Sequence, residues 1–400
     1  MINIFHIVSN KIWSGPEQYA YDLMLKLKDQ DEYYVEMVCG KSDTVLNRFR
    51  PLEIPISILP LKGITDLDSP KRFKRLLKRG QNIIHVHSFS DAVTAVLAKH
   101  MSANSKNVKI VLSLHGVERP RLNMISKKIY RELDRIVFAS QKAYDSFIPR
   151  IKNFDTSKAV IIRDSVLRAD DTATPTPSLR EKFDIPSDRA LIMYHGRLCR
   201  EKGVDTLIKA LAQLDRDTYH LVPVGEGHHK FMAQIKGFVV ANQLLKNVSF
   251  MGYCPNVQPL VKQCDFGVLP STKPEALGLS NLEYMMLGKA HVTTNNGAQL
   301  EYLTNGENAL LVAPENQFQL ADAIKQLIEN PELRNKIGTQ AQNDYDHHLG
   351  YDSFYAQMTA LYHSLFSTQR SCIVGVWRGN GGNMAFLLKN AKKKSLVCHD

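Results

Sequence analysis

The strongest constraint in this sequence is that short apolar runs alternate with amphipathic helical segments, and that the alternation occurs twice. The first series begins with the run Ile2 to Val8, and the second begins at Ala190 and continues to Val312. Strands separated by helices pair in parallel, because a parallel connection needs a long crossover. The sequence therefore predicts an α/β protein with two Rossmann-like domains that face each other across a cleft.

Composition indicates where these domains begin and end. Residues 169–178 read ADDTATPTPS, a run rich in Thr, Pro and Asp that is typical of a linker. The expected divisions are a first domain over 1–165, a linker over 166–189, a second domain over 190–350, a last helix over 351–369 and an atypical tail over 370–400.

Three local predictions are specific enough to test. A turn over Trp13 to Glu17 precedes a helix that we expect to begin near Gln18. The segment Lys71–Lys78, KRFKRLLK, predicts a basic helix with Phe73, Leu76 and Leu77 on one face. The run Val248 to Phe250 predicts a strand of the second domain.

Composition also excludes several classes of protein. With 44% apolar and 23% charged residues, the chain resembles an ordinary globular protein, and no apolar run reaches the roughly 20 residues that cross a bilayer. The start, MINIFHIVSN, lacks a basic lead and a long apolar region, so it predicts a first strand and not a signal peptide. Six cysteines without C-x-x-C spacing argue against a zinc site or a disulfide framework and favour a reducing cytosol.

The net charge of +11 is unevenly distributed, since +10 of it falls within residues 1–170. A basic first half suggests an anionic surface or substrate, although a generically basic surface is equally consistent. The segment Lys71–Arg79 combines this charge with an apolar stripe, a pattern that suits anionic lipid headgroups. We therefore expect peripheral contact with an anionic membrane face.

The stretch from Val268 to Leu303 contains the most informative polar residues. An apolar strand ends at Leu269, a loop carries Glu275, and Ser280 is the expected N-cap of the next helix. In parallel sheets such a loop lies at the carboxyl edge, where ligands bind.

Glu275 and Glu283 are eight positions apart, or roughly 12 Å on a continuous helix. They are too far apart to share a proton or a metal ion, but they can hold two ends of a long ligand. The N–H groups of Leu279 to Leu282 lie between them and suit phosphate. The spacing thus fits a sugar–diphosphate–ribose molecule. Alternatively, Ser280 to Glu283 is a capping box, which would explain Glu283 without any ligand.

Two motifs together resemble a known family. Glu275-x7-Glu283 is followed by Gly288, Asn296-Gly297 and Glu301, and the segment 195–203 reads HGRLCREKG. Both are similar to the core motifs of the family 4 retaining glycosyltransferases, which have the GT-B fold. Leu277, Tyr284 and Ala290 stand where that family usually has Phe, Ala and Pro. The resemblance spans roughly residues 3–366 and implies that the last helix crosses back to the first domain.

The resemblance also implies roles for individual residues. Arg197 and Lys202 would neutralise the donor diphosphate, Glu275 would position the donor hydroxyls, and His115 would lie beside the transferred sugar. These four form the expected catalytic group, while His85 and His87 are interpreted as structural. The implied donor-binding residues are Gly15, Gly196, Arg197, Lys202, Gly225, Tyr253, Glu275, Gly278, Leu279, Ser280 and Glu283.

The implied function is a retaining, metal-independent and cofactor-free transfer of a sugar to a glycan or lipid-linked acceptor, in surface polysaccharide or glycoconjugate synthesis. The donor would be a nucleotide sugar, with UDP as the first choice of nucleotide and GDP as the second. The expected location is cytoplasmic, on the inner membrane face. Two alternatives stay open: a sugar-nucleotide epimerase of the same fold, and a nucleic-acid-binding protein suggested by the pI of about 9.2. The second lacks an RNA-binding motif, so we expect no nucleic acid partner.

Overall fold

The computed structural model describes residues 1–169 and 177–367, which contain two parallel sheets. The first sheet has seven strands in the order β3-β2-β1-β4-β5-β6-β7. Its strands are β1 (Ile2–Val8), β2 (Tyr33–Cys39), β3 (Ile56–Ile58), β4 (Gln81–Val86), β5 (Val108–Leu114), β6 (Arg135–Phe138) and β7 (Ala159–Ile161).

The second sheet has five strands in the order β12-β11-β10-β8-β9. They are β8 (Ala190–His195), β9 (Tyr219–Val224), β10 (Phe266–Leu269), β11 (His291–Thr294) and β12 (Leu310–Val312). The prediction of a strand over Val248 to Phe250 is wrong. Val248 pairs with Leu221 of β9 through an isolated bridge only, and Gly252, just beyond this segment, pairs with Val224 in the same way.

Helices connect the strands within both described ranges. They are α1 (Gly15–Leu27), α2 (Asp43–Phe49), α3 (Asp68–Phe73), α4 (Phe89–Met101), α5 (Met124–Glu132), α6 (Gln141–Phe147), α7 (Leu179–Lys182), α8 (Val204–Leu211), α9 (His229–Ala241), α10 (Gln258–Gln263), α11 (Leu279–Met286), α12 (Gln317–Glu329), α13 (Pro331–Asp344) and α14 (Tyr351–Ser364). Within 1–169 and 177–367, none of them is long and apolar enough to cross a bilayer.

Helix α1 begins at Gly15 and not near Gln18, so the predicted turn is shorter than expected. Pro16 occupies the first turn of the helix. A proline is tolerated there because the first N–H groups of a helix have no partner inside the helix. The helix start therefore lies three residues closer to the end of β1.

The basic helix expected over Lys71–Lys78 is also wrong in extent, because α3 ends at Phe73 and the chain continues in turns. Phe73 is fully buried against Phe5, and Leu76 and Leu77 pack against the same cluster. The apolar stripe is thus part of the core of the first domain and is unavailable to a membrane. The basic side chains of this segment remain at the surface.

The last helix crosses back to the first sheet, as the resemblance implies. The α14 residues Phe354, Met358 and Tyr362 are buried together with residues of β1 and α1. The Tyr362 hydroxyl lies 2.6 Å from Nδ1 of the buried His85 on β4. The C-terminal helix therefore completes one face of the first domain.

Within residues 177–189 of the expected linker, apolar side chains belong to the core of the second domain. Leu179 and Ile185 are buried with side chains of β8 and β9. Residues 170–176, and the tail predicted over 370–400, lie outside the described residues. The domain boundaries stay predictions.

We predict that Tyr362→Phe destabilises the protein, because the change leaves Nδ1 of His85 buried without its partner. An unpaired buried polar group costs about 1–3 kcal/mol, so the urea-unfolding midpoint should decrease. Tyr355→Phe, on the same helix, is the matched control, because that hydroxyl makes only an exposed 3.5 Å contact with the carbonyl of Lys26. Equal midpoints for the two variants would contradict the anchoring role.

Candidate functional site

Three loops meet at the carboxyl edge of the second sheet, and their backbones are in direct contact. The Leu198 N–H donates to the Glu226 carbonyl at 2.8 Å, which joins the loops after β8 and β9. A Cβ on Gly225 would overlap the Gly196 carbonyl oxygen, and a Cβ on Gly203 would overlap that of Pro270. Both glycines also have positive φ, at 138° and 70°. Only glycine allows the loops to approach this closely.

The helix that follows the third loop begins differently from the prediction. The N-cap of α11 is Gly278, with φ of 87°, and not Ser280, whose hydroxyl donates to the His195 carbonyl at 3.0 Å. The N–H groups of Asn281 and Leu282 bond to the Gly278 carbonyl. Of the N–H groups predicted to bind phosphate, these two bonds therefore leave only those of Leu279 and Ser280. Since Ser280 is not the cap, a capping box no longer explains Glu283.

Glu275 is held by two partners from neighbouring loops. The Lys202 ammonium lies 2.6 Å from its Oε1, and the Ser271 hydroxyl donates to the same oxygen. The carboxylate side chain is only 14% exposed. Lys202 was expected to face a diphosphate, and here it is paired with Glu275, while Arg197 is exposed. The ion pair fixes the two predicted site residues relative to each other.

Glu283 lies against His195, at 3.3 Å between Oε2 and Nδ1. Burial, with a smaller contribution from the carboxylate of Asp22, raises the pKa of Glu283 to about 8. Burial lowers the pKa of His195 to about 3 and raises the pKa of Asp22 to about 7. At neutral pH Glu283 is therefore largely protonated, and it can donate a hydrogen bond as well as accept one.

The first domain approaches this site at two places. A Cβ on Gly15 would lie 3.5 Å from Cδ1 of Leu279, so the start of α1 faces the start of α11. The Arg48 guanidinium lies 4.3 Å from the Trp13 ring and 4.7 Å from the Tyr253 ring. Arg48 thus bridges the two domains beside the loop predicted to border the base. Sequence reasoning missed Arg48 because it belongs to no recognisable motif.

His115 is the end of a row of histidines in the first domain. His6 Nδ1 lies 3.1 Å from His87 Nε2, His87 Nδ1 lies 3.1 Å from His115 Nε2, and His115 Nδ1 lies 3.3 Å from Asp164 Oδ2. Burial lowers the pKa of His6 to about 3 and the pKa of His87 well below its usual value, so both are neutral. Because the Asp164 carboxylate accepts, each Nδ1 in the row donates. His87 therefore orients His115, a role that the sequence did not show.

Ring nitrogens of His6, His85 and His87 also lie within 4.8 Å of one another, as they would near a metal ion. Three imidazoles suit zinc or copper. However, both nitrogens of His85 already bond to Tyr362 and Ser113, and His6 bonds to His87. The arrangement therefore fits a hydrogen-bonded cluster better than a ligand set.

Glu301 joins the domains on another side of the cleft. Its carboxylate accepts from the N–H groups of Gln141 and Lys142, which begin α6 of the first domain, at 3.1 and 2.9 Å. Arg163 approaches the same carboxylate at 3.3 Å. Negative charge at a helix N-terminus is stabilising. Glu301 of the second domain therefore caps the N-terminus of α6 in the first domain. The sequence motif included Glu301 but gave no hint of this contact.

Two parallel α/β domains, with backbone N–H groups, a lysine and two carboxyl groups gathered at the carboxyl edge of the second, define a glycosyltransferase of the GT-B type. The model for glycosyl transferases group 1 matches residues 175–344, and the model for glycosyltransferase family 4 matches residues 13–164. Together they span most of the chain. The protein belongs to the group 1 glycosyltransferases of family 4.

Individual relatives have low sequence identity to this chain, but several align with much of its length. An uncharacterized glycosyltransferase of Methanocaldococcus jannaschii is 27% identical over 65% of this chain and 69% of its own length. The lipopolysaccharide core biosynthesis mannosyltransferase LpcC of Rhizobium leguminosarum bv. viciae is 23% identical over 74% and 81%. Two other curated relatives match over only 44% and 43% of their own length. The crystal structure of Anabaena HepE with UDP-glucose superposes with a TM-score of 0.78, at 19% identity, over 90% of this chain and 99% of that one.

We predict that Glu275→Gln lowers the transfer rate at least about 100-fold, a usual effect of losing one preorganised charged contact. Glutamine keeps the size of the side chain and an oxygen that can accept from Lys202 and Ser271, so the melting temperature should change little. The matched control is Glu201→Gln, which breaks the exposed Lys273–Glu201 pair between the same two loops. A folded Glu275→Gln variant with the turnover of the control would remove Glu275 from the site.

We also predict that stability decreases as pH rises through the range from 4.5 to about 8. The folded protein holds the Glu283 proton more tightly than the unfolded chain does, so its stability is greatest below pH 4.5 for this group. At about 1.4 kcal/mol per pKa unit, the effect is on the order of 5 kcal/mol. Urea midpoints between pH 5 and about 8.5 should decrease in the wild type and stay flatter in Glu283→Gln. A parallel slope in both proteins would contradict the assignment.

Proposed function

We propose that this glycosyltransferase moves a sugar from a UDP-sugar donor to a glycan or lipid-linked acceptor with retention of the anomeric configuration. The single observation that carries the proposal is the Lys202–Glu275 ion pair, held beside the start of α11 and opposite Gly15. A cation, helix N–H groups and a carboxylate lie together there. They suit a diphosphate next to a set of sugar hydroxyls.

In the proposed reaction the bond between the anomeric carbon and the donor phosphate breaks. Arg197, Lys202 and the N–H groups at the start of α11 stabilise the departing diphosphate, and no metal ion is required for this charge. The acceptor hydroxyl attacks on the face that the phosphate leaves, and its proton passes to a phosphate oxygen. Glu275 is already engaged by Lys202 and Ser271, which suits binding of donor hydroxyls better than nucleophilic attack.

His115 is proposed to contact the sugar from the first domain. Its Nε2 accepts from His87 and its Nδ1 donates to Asp164, so the ring is fixed at the end of β5. Both ring nitrogens are engaged in these bonds. A hydrogen bond to a sugar hydroxyl would therefore share Nδ1 with Asp164 or replace one of the two bonds. Glu283, protonated near neutral pH, is proposed to bond to the ribose.

Two relatives support the choice of donor and acceptor. The structurally similar HepE was crystallised with UDP-glucose, and LpcC is named for lipopolysaccharide core synthesis. We therefore propose a role in assembling a surface glycan, with the acceptor held at the cytoplasmic face of an anionic membrane. The basic first domain, which holds +10 of the net charge of +11 within residues 1–170, is consistent with such a partner.

The proposal is tested with a panel of UDP- and GDP-sugars, each read by thermal shift and then by proton NMR of the product. We expect a UDP-sugar to raise the melting temperature most and to give a product with the donor's anomeric configuration. An inverted product would disprove retention. An isomerised nucleotide sugar formed without acceptor would show an epimerase instead.

We predict that Arg197→Ala and Lys202→Ala each reduce transfer and that their effects are not additive, because both act on one diphosphate. The measurement is a double-mutant cycle on kcat/KM. Lys273→Ala, an exposed lysine of the adjacent loop, serves as the charge control and should leave the rate unchanged. Logarithmic effects that simply add would contradict the shared contact.

A further inference from the structure

An exposed apolar patch lies on the first domain, shortly after the strand end that carries His115. The patch consists of Leu122, Met124 and Ile125, which are 49%, 87% and 72% exposed. Single exposed apolar side chains are normal on protein surfaces, whereas a cluster marks an interaction site. Three large apolar side chains within four positions therefore indicate a surface that meets a partner.

Helix α5 holds this patch in a fixed position. The opposite side of the helix is anchored in the core through Ile129 and Tyr130. The helix is capped by Asn123, whose Oδ1 accepts from Ser126 N–H at 2.8 Å. The N–H of Arg121 donates to the Tyr130 hydroxyl at 3.2 Å, which fixes the chain that leads into the helix. The apolar side chains are thus presented outward by a firmly packed element.

The border of the patch is strongly basic. Lys128 and Arg131 follow Met124 by four and seven positions, so they lie on the same outward side of α5. Long basic side chains of this kind keep their charged ends at a lipid–water boundary while their stems cover apolar surface. The residues of the border are Arg119, Arg121, Lys127, Lys128 and Arg131, with Glu118 and Glu132 as the acidic neighbours between 118 and 132.

The same layer of helices carries the other basic segment of the domain. Helix α3 packs against α4, and α4 packs against α5. The exposed lysines and arginines of Lys71–Arg79 therefore lie on the same side of the first sheet as the border of the patch. They extend the positive charge of this face, although their own apolar neighbours are buried.

We infer that this face of the first domain binds the anionic surface of a lipid bilayer, and that Leu122, Met124 and Ile125 insert among the headgroups. The charge of the border selects an anionic partner, and the apolar patch selects one with an apolar interior. A second copy of this chain would bring two basic borders together, which disfavours self-association. The purpose of the contact rests on the proposed function, because a lipid-held acceptor would then meet the cleft close to His115.

The test is flotation of the full chain with vesicles, with and without added salt. Phosphatidylglycerol–phosphatidylethanolamine vesicles are compared with pure phosphatidylcholine vesicles. We expect the wild type to float with the anionic vesicles and to be partly released by salt, which screens the basic border. The double variant Met124→Glu/Ile125→Glu should bind at least about tenfold more weakly, because it loses apolar insertion and gains repulsion.

Matched controls separate the patch from general effects of charge. Val240→Glu/Leu245→Glu removes two exposed apolar side chains of the second domain, 57% and 66% exposed, and should float as the wild type does. Lys127→Gln/Lys128→Gln should weaken binding only at low salt. The lysine run 392–394 is changed to Gln in a parallel set, so that the tail cannot account for the result.

Four outcomes would overturn the inference: no flotation of the wild type, equal flotation of Met124→Glu/Ile125→Glu and wild type, equal binding to neutral and anionic vesicles, or a wild-type dimer that this variant abolishes. Thermal shift with UDP is measured on the same samples. A UDP shift without flotation would reject the membrane surface and leave the proposed function intact. Flotation without a UDP shift in any protein would reject the proposed donor and leave the surface intact.

Discussion

The site depends on how closely the loops of the second sheet approach one another. Gly203 lies directly on the Pro270 carbonyl, and Gly225 lies on that of Gly196, so neither position has room for a side chain. This contact between backbones sets the distance between the ends of β8, β9 and β10. The Lys202–Glu275 pair and the contact of Ser280 with His195 both span loops whose separation is fixed in this way. The main chain therefore fixes the positions of the charged groups, although their own side chains are flexible.

The first domain completes this arrangement through a few contacts of different kinds. Glu301 caps α6 across the domain boundary, and Arg48 stacks between Trp13 and Tyr253. Asp22 and Glu283 come from opposite domains, and each carboxyl group is buried enough to have a raised pKa. An apolar cluster also joins the two domains, because Ala139 and Val166 are buried together with Leu277, Leu282 and Met285 of the second domain. The interface therefore combines polar, cationic and apolar contacts.

Much of the fold could be predicted from the sequence, because apolar strands of a parallel sheet are continuous runs. The run Ile2 to Val8 forms β1, and the strand expected to end at Leu269 is β10. The failures have physical causes. Lys71–Lys78 has helical spacing, but its apolar residues are needed by the core and the helix stops after Phe73. Ser280 looks like a cap, but the positive φ of Gly278 starts α11 earlier.

The site was predictable only where a residue belongs to a contiguous motif. Glu275, Lys202 and Gly196 could be named because local spacing fixes their place at a strand end. Arg48 and Asp164 could not, since each meets its partner through the tertiary fold alone. The row of hydrogen-bonded histidines from His6 to His115 could not be predicted for a related reason. His6 lies on β1, and His87 and His115 directly follow β4 and β5, so the order β1-β4-β5 that brings them together is a property of the sheet.

The crossing of α14 also has a consequence for the order in which the chain acquires its structure during synthesis. Residues 351–364 are made after the second domain, yet Phe354, Met358 and Tyr362 belong to the core of the domain that is made first. While the ribosome is still translating the second domain, that apolar face stays uncovered. The second domain has its own core and can close before the first. The first domain therefore finishes folding only after α14 has been made, and its uncovered apolar face is open to aggregation until then.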